Sequence, residues 1–237
     1  MGRAFEVRKA AKAKTAAAKS KVYSKYGREI YVAAKTGSSN PEINQELKRV
    51  IEKAKKDQIP NDIIKRAIEK AEGGVDENYH TIKYEVFGPG QSILIIDCLT
   101  DNTQRTLSGI RTAINRTDGK IGVSGSVLHQ FEQLSVFKIP NLTEDDILMI
   151  LIENDLDPKL IEQEEDGILL MGQPNDYFKI KTALLNYDPN LDLVVDELTW
   201  IPFNYVTLTA EDQEKFEKFV DMLEELDDVQ DVYHNVE

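Results

Sequence analysis

The residues best placed to do chemistry together are cations. Arg3, Arg8, Lys9, Lys12, Lys14, Lys19, Lys21, Lys25 and Arg28 crowd the N-terminal stretch against only Glu6 and Glu29. Basic side chains repeated at helical spacing can follow a line of phosphates, releasing a counterion at each phosphate they neutralise. Such contacts position a polyanion without reading its sequence. A charge run is usually just a solvated face. Here, however, residues 3–20 have no apolar stripe: on a helical projection Arg8, Lys12 and Lys19 fill the sector that Tyr26 and Ile30 use further on. The stretch is therefore expected to be an exposed helical extension or a partly ordered arm, with polyanion contact as its chemistry.

A second basic spot lies on a helix predicted over 103–117, where Arg105, Ser108, Thr112 and Arg116 oppose the apolar stripe, Arg111 stands to one side and Lys120 follows. It fits a second polyanion contact and equally an ordinary exposed face. The two spots sit in very different surroundings. The net charge of the 237 residues is −13, yet residues 1–72 carry 18 basic and 9 acidic groups (+9) and residues 73–237 carry 11 and 33 (−22). A basic head on an acidic body suits a polyanion partner held at one end.

Enzyme chemistry finds no matching constellation. His80, His129 and His234 are scattered, Cys98 lies alone in a strand predicted to be buried, and no spacing suggests a zinc site. The acidic clusters Glu144-Asp145-Asp146 and Glu162, Glu164-Glu165-Asp166 fall at a helix start and a hairpin, where helix-dipole and solvated roles suffice. Gly119-x-x-Gly122-x-x-Gly125 follows a helix and lacks Gly-Lys-Ser/Thr, so it reads as a loop needing positive φ rather than a phosphate loop. The expectation is a non-enzymatic protein without metal or cofactor. A single cysteine, short apolar runs and no signal-like start point to a reducing, cytoplasmic setting without a membrane span.

The elements that must position these residues follow from periodicity. Helix 22–36 carries Val22, Tyr23, Tyr26, Ile30 and Ala33 on one face. Asn40-Pro41 predicts the start of a second helix with Leu47, Val50, Ile51 and Ala54 inward. Asn61 caps a third, with Ile64, Ala67, Ile68 and Ala71 inward. The pair around 57–61 resembles a helix-turn-helix. Its would-be reading face mixes Asp62, Lys65, Arg66, Glu69, Lys70 and Glu72, so plain packing is the better reading. From residue 81 the period becomes two, predicting strands at 81–87 and 92–99, helix 103–117 and a strand at 126–131. A βαββαβ series over 134–199 suggests a ferredoxin-like unit, followed by a strand at 204–209, helix 211–226 and strand 229–235. The fold class is α+β and multi-domain. A basic three-helix domain with its arm (1–76) precedes an α/β domain (77–132 plus 203–237), into which the ferredoxin-like α/β domain (133–202) is inserted.

Several segments resemble one family, the YebC/PmpR-like proteins, which include the mitochondrial translational activator of cytochrome c oxidase subunit I. They are Arg8-Lys9 through Arg28-Glu29-Ile30, Val32-Ala33-Ala34-Lys35-x-Gly37, Pro60-Asn61-Asp62-x-Ile64-x-Arg66-Ala67-Ile68 and Tyr84-Glu85-x-Phe87-Gly88-Pro89-Gly90. Asp97-Cys98-Leu99-Thr100-Asp101-Asn102-x-x-Arg105-Thr106, Gly125-Ser126-Val127 with Phe131, and Asp228-Val229-Gln230-Asp231-Val232-Tyr233-His234-Asn235 complete the set. The start Gly2-Arg3-Ala4-Phe5-Glu6 departs from the Gly-His-Ser-Lys-Trp of many members. The resemblance implies a cytoplasmic, non-enzymatic protein with a helical N-terminal domain and two α/β domains. It also implies a DNA-binding transcriptional regulator or, alternatively, a translation factor at ribosomal RNA. It fixes neither the target nor the oligomeric state.

Overall fold

A computed structural model describes residues 16–73 and 77–237. The chain divides into two compact units: residues up to Leu128 together with Asn204–Glu237, and His129–Phe203. The first unit begins with α1 (Ala16–Thr36), α2 (Gln45–Lys56) and α3 (Asn61–Glu72). Their apolar stripes meet in one core of Tyr26, Ile30, Leu47, Val50, Ala54, Ile64 and Ala67. The start of α2 differs from the sequence expectation. Residues 40–43 form a turn, with Glu42 N–H on Asn40 Oδ1, and Asn44 caps the helix by accepting from Leu47 N–H at 3.1 Å. Asn44 also donates to the carbonyls of Ala33 and Ser38, so its amide joins two helices, which Asn40 is not placed to do.

The sheet of this unit runs β3-β1-β2-β8, antiparallel throughout: β1 (His80–Phe87), β2 (Ile93–Thr100), β3 (Lys120–Ile121) and β8 (Val229–His234). The helices α4 (Thr103–Asn115) and α7 (Ala210–Glu224) cover one face. There Val86, Leu94, Ile96 and Cys98 pack against Ile110, Ile114, Phe216, Phe219 and Leu223. Asn102 caps α4 through Arg105 N–H at 3.0 Å, and Thr209 caps α7.

The second unit holds β4 (Phe131–Ile139), α5 (Glu144–Glu153), β5 (Leu160–Glu164), β6 (Gly167–Gly172), α6 (Tyr177–Tyr187) and β7 (Val195–Pro202). Its strand order β5-β6-β4-β7, antiparallel throughout, is that of a ferredoxin-like sheet, and α5 and α6 share its core. The chain leaves the first unit after Leu128 and re-enters it at Asn204. Two predicted strands are absent. Residues 122–130 form a loop and a short 3-10 turn before β4, because Glu85 captures their amides. Residues 204–209 contribute only one bridge, Val206 to Val236.

Candidate nucleic-acid interface

Arg3, Arg8, Lys9, Lys12 and Lys14 lie outside the described residues. On α1 the remaining cations separate by helical angle, since 100° per residue groups Lys21, Lys25 and Arg28 within one face and sends Lys19 to the opposite side. That face meets the acidic turn between α7 and β8. Lys21 Nζ lies 3.8 Å from Asp227, Lys25 Nζ donates to Glu224 O at 3.5 Å, and Arg28 Nη1 donates to Asp228 Oδ1 at 3.1 Å. Lys19 is exposed and has no ion partner among the described residues.

Asp228 is the centre of this junction. Its carboxylate also accepts from Arg105 Nε at 3.0 Å and Nη2 at 2.7 Å, and from Thr106 Oγ1 at 2.9 Å. Arg105 reaches Asp101 as well, at 2.7 Å. Burial pushes the Asp228 carboxyl up, but the hydrogen bonds from Arg105 and Thr106 outweigh it and hold the group below the usual range. Arg28 and Arg105 thus share a carboxylate of their own chain. Arg111 on α4, Arg116 at its C-cap and Lys120 beyond it are exposed without an ion partner among the described residues. Of the twelve predicted cations, four are engaged (Lys21, Lys25, Arg28, Arg105), three are exposed without an ion partner among the described residues (Lys19, Arg111, Arg116), and five lie outside the described residues.

Sequence reading missed the partner carboxylates. The 97–106 and 228–235 runs that carry the resemblance are two sides of one hydrogen-bond cluster. Asn235, at the far end of the second run, instead accepts from Ile93 N–H at 2.8 Å. Nothing in either run alone says that they meet. The other acidic clusters are structural. Asp146 completes a capping box with Thr143, and Glu164 and Asp166 both pair with Lys138. No group of three or more metal-binding side chains occurs among the described residues. Burial pushes the Cys98 thiol up to about 12, and His234 packs edge-on against Phe216. On α3 every charged residue is exposed, with Lys70 paired to Glu77 at 2.6 Å.

Residues 79–236 match the TACO1/YebC second and third domain, and residues 3–74 match the TACO1/YebC protein N-terminal domain. This chain belongs to the TACO1/YebC family. Among family relatives, a probable transcriptional regulatory protein of Acholeplasma laidlawii is 55% identical over 100% of this chain and 98% of its own length. Another probable transcriptional regulatory protein, from Pseudoalteromonas atlantica, is 50% identical over 99% of this chain and 97% of its own length. A crystal structure of a conserved hypothetical protein from Aquifex aeolicus matches with a TM-score of 0.79 at 33% identity, covering 95% of this chain and 93% of that one. The fold described above thus matches that structure over nearly the full length of both chains. No described helix of this member is long and apolar enough to cross a membrane.

Proposed function

We propose that the chain is a non-enzymatic regulator of gene expression that works by binding nucleic acid through phosphate contacts. The observation that carries this reading is the sorting of cations. Lys21, Lys25, Arg28 and Arg105 are engaged by the acidic turn at 224–228, while Lys19, Arg111 and Arg116 are exposed without an ion partner among the described residues. The N-terminal arm adds Arg3, Arg8, Lys9, Lys12 and Lys14 in sequence. Relatives named probable transcriptional regulatory proteins support promoter DNA as the target.

One observation favours a second reading, a translation factor on ribosomal RNA. The exposed face of α3 alternates Asp62, Lys65, Arg66, Glu69, Lys70 and Glu72, and carboxylates there oppose close approach to a duplex groove. Folded RNA is recognised by shape and backbone without such a face. The discriminating experiment titrates the protein against promoter duplex, scrambled duplex and ribosomes over a salt series. Phosphate-led binding gives a log–log salt slope of about −0.9 per duplex phosphate contacted. A strong preference for one duplex over its scramble supports the promoter reading, and tighter competition by ribosomes supports the translational one. No salt-dependent binding to any of them overturns both.

A further inference from the structure

The loop that replaces the expected strand at 126–131 is unusually well fixed for an exposed segment. The Glu85 side chain, 7% exposed, accepts N–H groups from Gly125 at 2.6 Å, Val127 at 2.6 Å and Leu128 at 2.8 Å. Gly122 N–H donates to the Glu85 carbonyl at 2.8 Å, and Ser126 N–H donates to Val123 O at 3.0 Å. With Gly125 at φ +84° this is a type II turn whose third position needs glycine. The pinned loop carries Val123 at its tip, 78% exposed.

Beside the loop stands an aromatic ring. Phe87 ends β1 and is directly opposite Lys120 of the edge strand β3, so both side chains leave the same face. The preceding pair, Val86 with Ile121, faces the core instead. Phe87 is 37% exposed. Gly122 leaves the ring uncovered: a Cβ there would come within 3.2 Å of Phe87 Cε2 and 2.2 Å of Ser126 Oγ. Arg116 and Lys120 are exposed with no ion partner among the described residues, while the nearby acid, Asp118, is drawn to Lys215 at 3.6 Å.

A lone exposed valine needs no explanation. A partly open ring, an apolar tip on a rigid turn and, on the ring's own face, a lysine with no ion partner among the described residues are together the parts that hold an unpaired nucleotide, because every base offers a π-face and every nucleotide a phosphate. We propose that this edge seats an unpaired nucleotide, its base stacked on Phe87 against Val123 and a flanking phosphate on Lys120. The proposal rests on the reading of the chain as a nucleic-acid binder and specifies the form of the ligand, a single-stranded stretch of RNA or DNA. A base locked in a duplex cannot present its face to the ring.

The test uses the full-length protein with labelled oligouridine RNA, the equivalent DNA strand and a mixed-sequence duplex. Phe87→Leu keeps most of the apolar volume and removes the π-face. It should bind single strands about tenfold more weakly, within the range for one base–aromatic stack, and duplex unchanged. Phe87→Trp should retain single-strand binding. Lys120→Glu should weaken binding and reduce the single-strand salt slope by about 0.7. Irradiating a 4-thiouridine oligonucleotide with the wild-type protein should crosslink the peptide containing Phe87, a readout that survives even if Phe87→Leu fails to fold. Equal losses for RNA and DNA assign the seat to base and phosphate alone, and a loss confined to RNA adds the 2′-hydroxyl. Unchanged single-strand binding by a folded Phe87→Leu, or crosslinks only elsewhere, overturns the seat. If, in that case, replacing the exposed Lys19 by glutamate (Lys19→Glu) weakens binding to the same probes, the general nucleic-acid reading stands. If the wild type binds none of the three probes, that reading fails too.

Discussion

Replacing Asp228 with alanine removes a carboxylate on which Arg28 of α1 and Arg105 of α4 converge. The side chain is 6% exposed, Arg28 15% and Arg105 53%. Breaking a buried ion pair from one side costs about 3–5 kcal/mol, because the remaining charge is left without compensation. Arg28 is in that position. Arg105 is not, since its half-exposed guanidinium keeps Asp101, and its share should be within about 1 kcal/mol, as for surface pairs. Thr106 keeps an acceptor in Asn102 O at 3.1 Å. Arg28 is itself only partly enclosed, so the lower end applies, about 3 kcal/mol in total. At about 2–4 °C per kcal/mol for a unit of this size, the melting transition should fall by about 6–12 °C. The sign with pH is fixed by the depressed carboxyl of Asp228. Its contribution is complete above the unfolded value of about 3.9 and disappears as pH falls through the lower folded value, so Asp228→Ala should flatten that part of the acid limb. Calorimetry and urea unfolding between acid and neutral pH measure both effects. A double-mutant cycle with Arg28→Ala should give a coupling of about 1–3 kcal/mol. A coupling below about 0.5 kcal/mol, or an acid limb identical to wild type, would refute the assignment.

Four other outcomes are expected. Asp228→Asn, by releasing Arg28 and Arg105, should tighten polyanion binding in filter assays while lowering stability, and a loss of affinity would show that the paired cations do not reach phosphate. Glu85→Gln places an amide donor among three N–H groups and should cost about 2–3 kcal/mol by urea unfolding; a smaller change would mean that the loop holds without its carboxylate. Arg66→Ala should weaken binding to all duplexes alike, and relaxed preference at a single base pair by about 1–3 kcal/mol would instead make α3 a reading helix. Deleting 129–203 with a short Gly/Ser bridge should leave a cooperatively unfolding remainder, which a loss of cooperativity in calorimetry would contradict.

Local physics was legible where one segment carried its own answer. The 3.6-residue stripes of α1 to α3, the two-sided apolar run of β2 and the βαββαβ order of the inserted unit follow from side-chain periodicity, which each element expresses alone. The basic head was likewise a count. What the sequence could not supply was pairing. Lys21, Lys25 and Arg28 look the same as Lys19 in a string of letters, yet the face of α1 that carries those three meets the turn with Asp227 and Asp228 some two hundred residues later, whereas Lys19 meets water. Asn44 rather than Asn40 caps α2 because only Asn44 can also reach the carbonyls of Ala33 and Ser38. The strand expected at 126–131 starts as a loop because a buried carboxylate forty residues upstream captures its amides. In each case alternation or charge set what a residue can offer, and the tertiary fold decided which distant group takes it. A hydrogen bond or ion pair depends on distance and desolvation, and neither is a property of the local sequence.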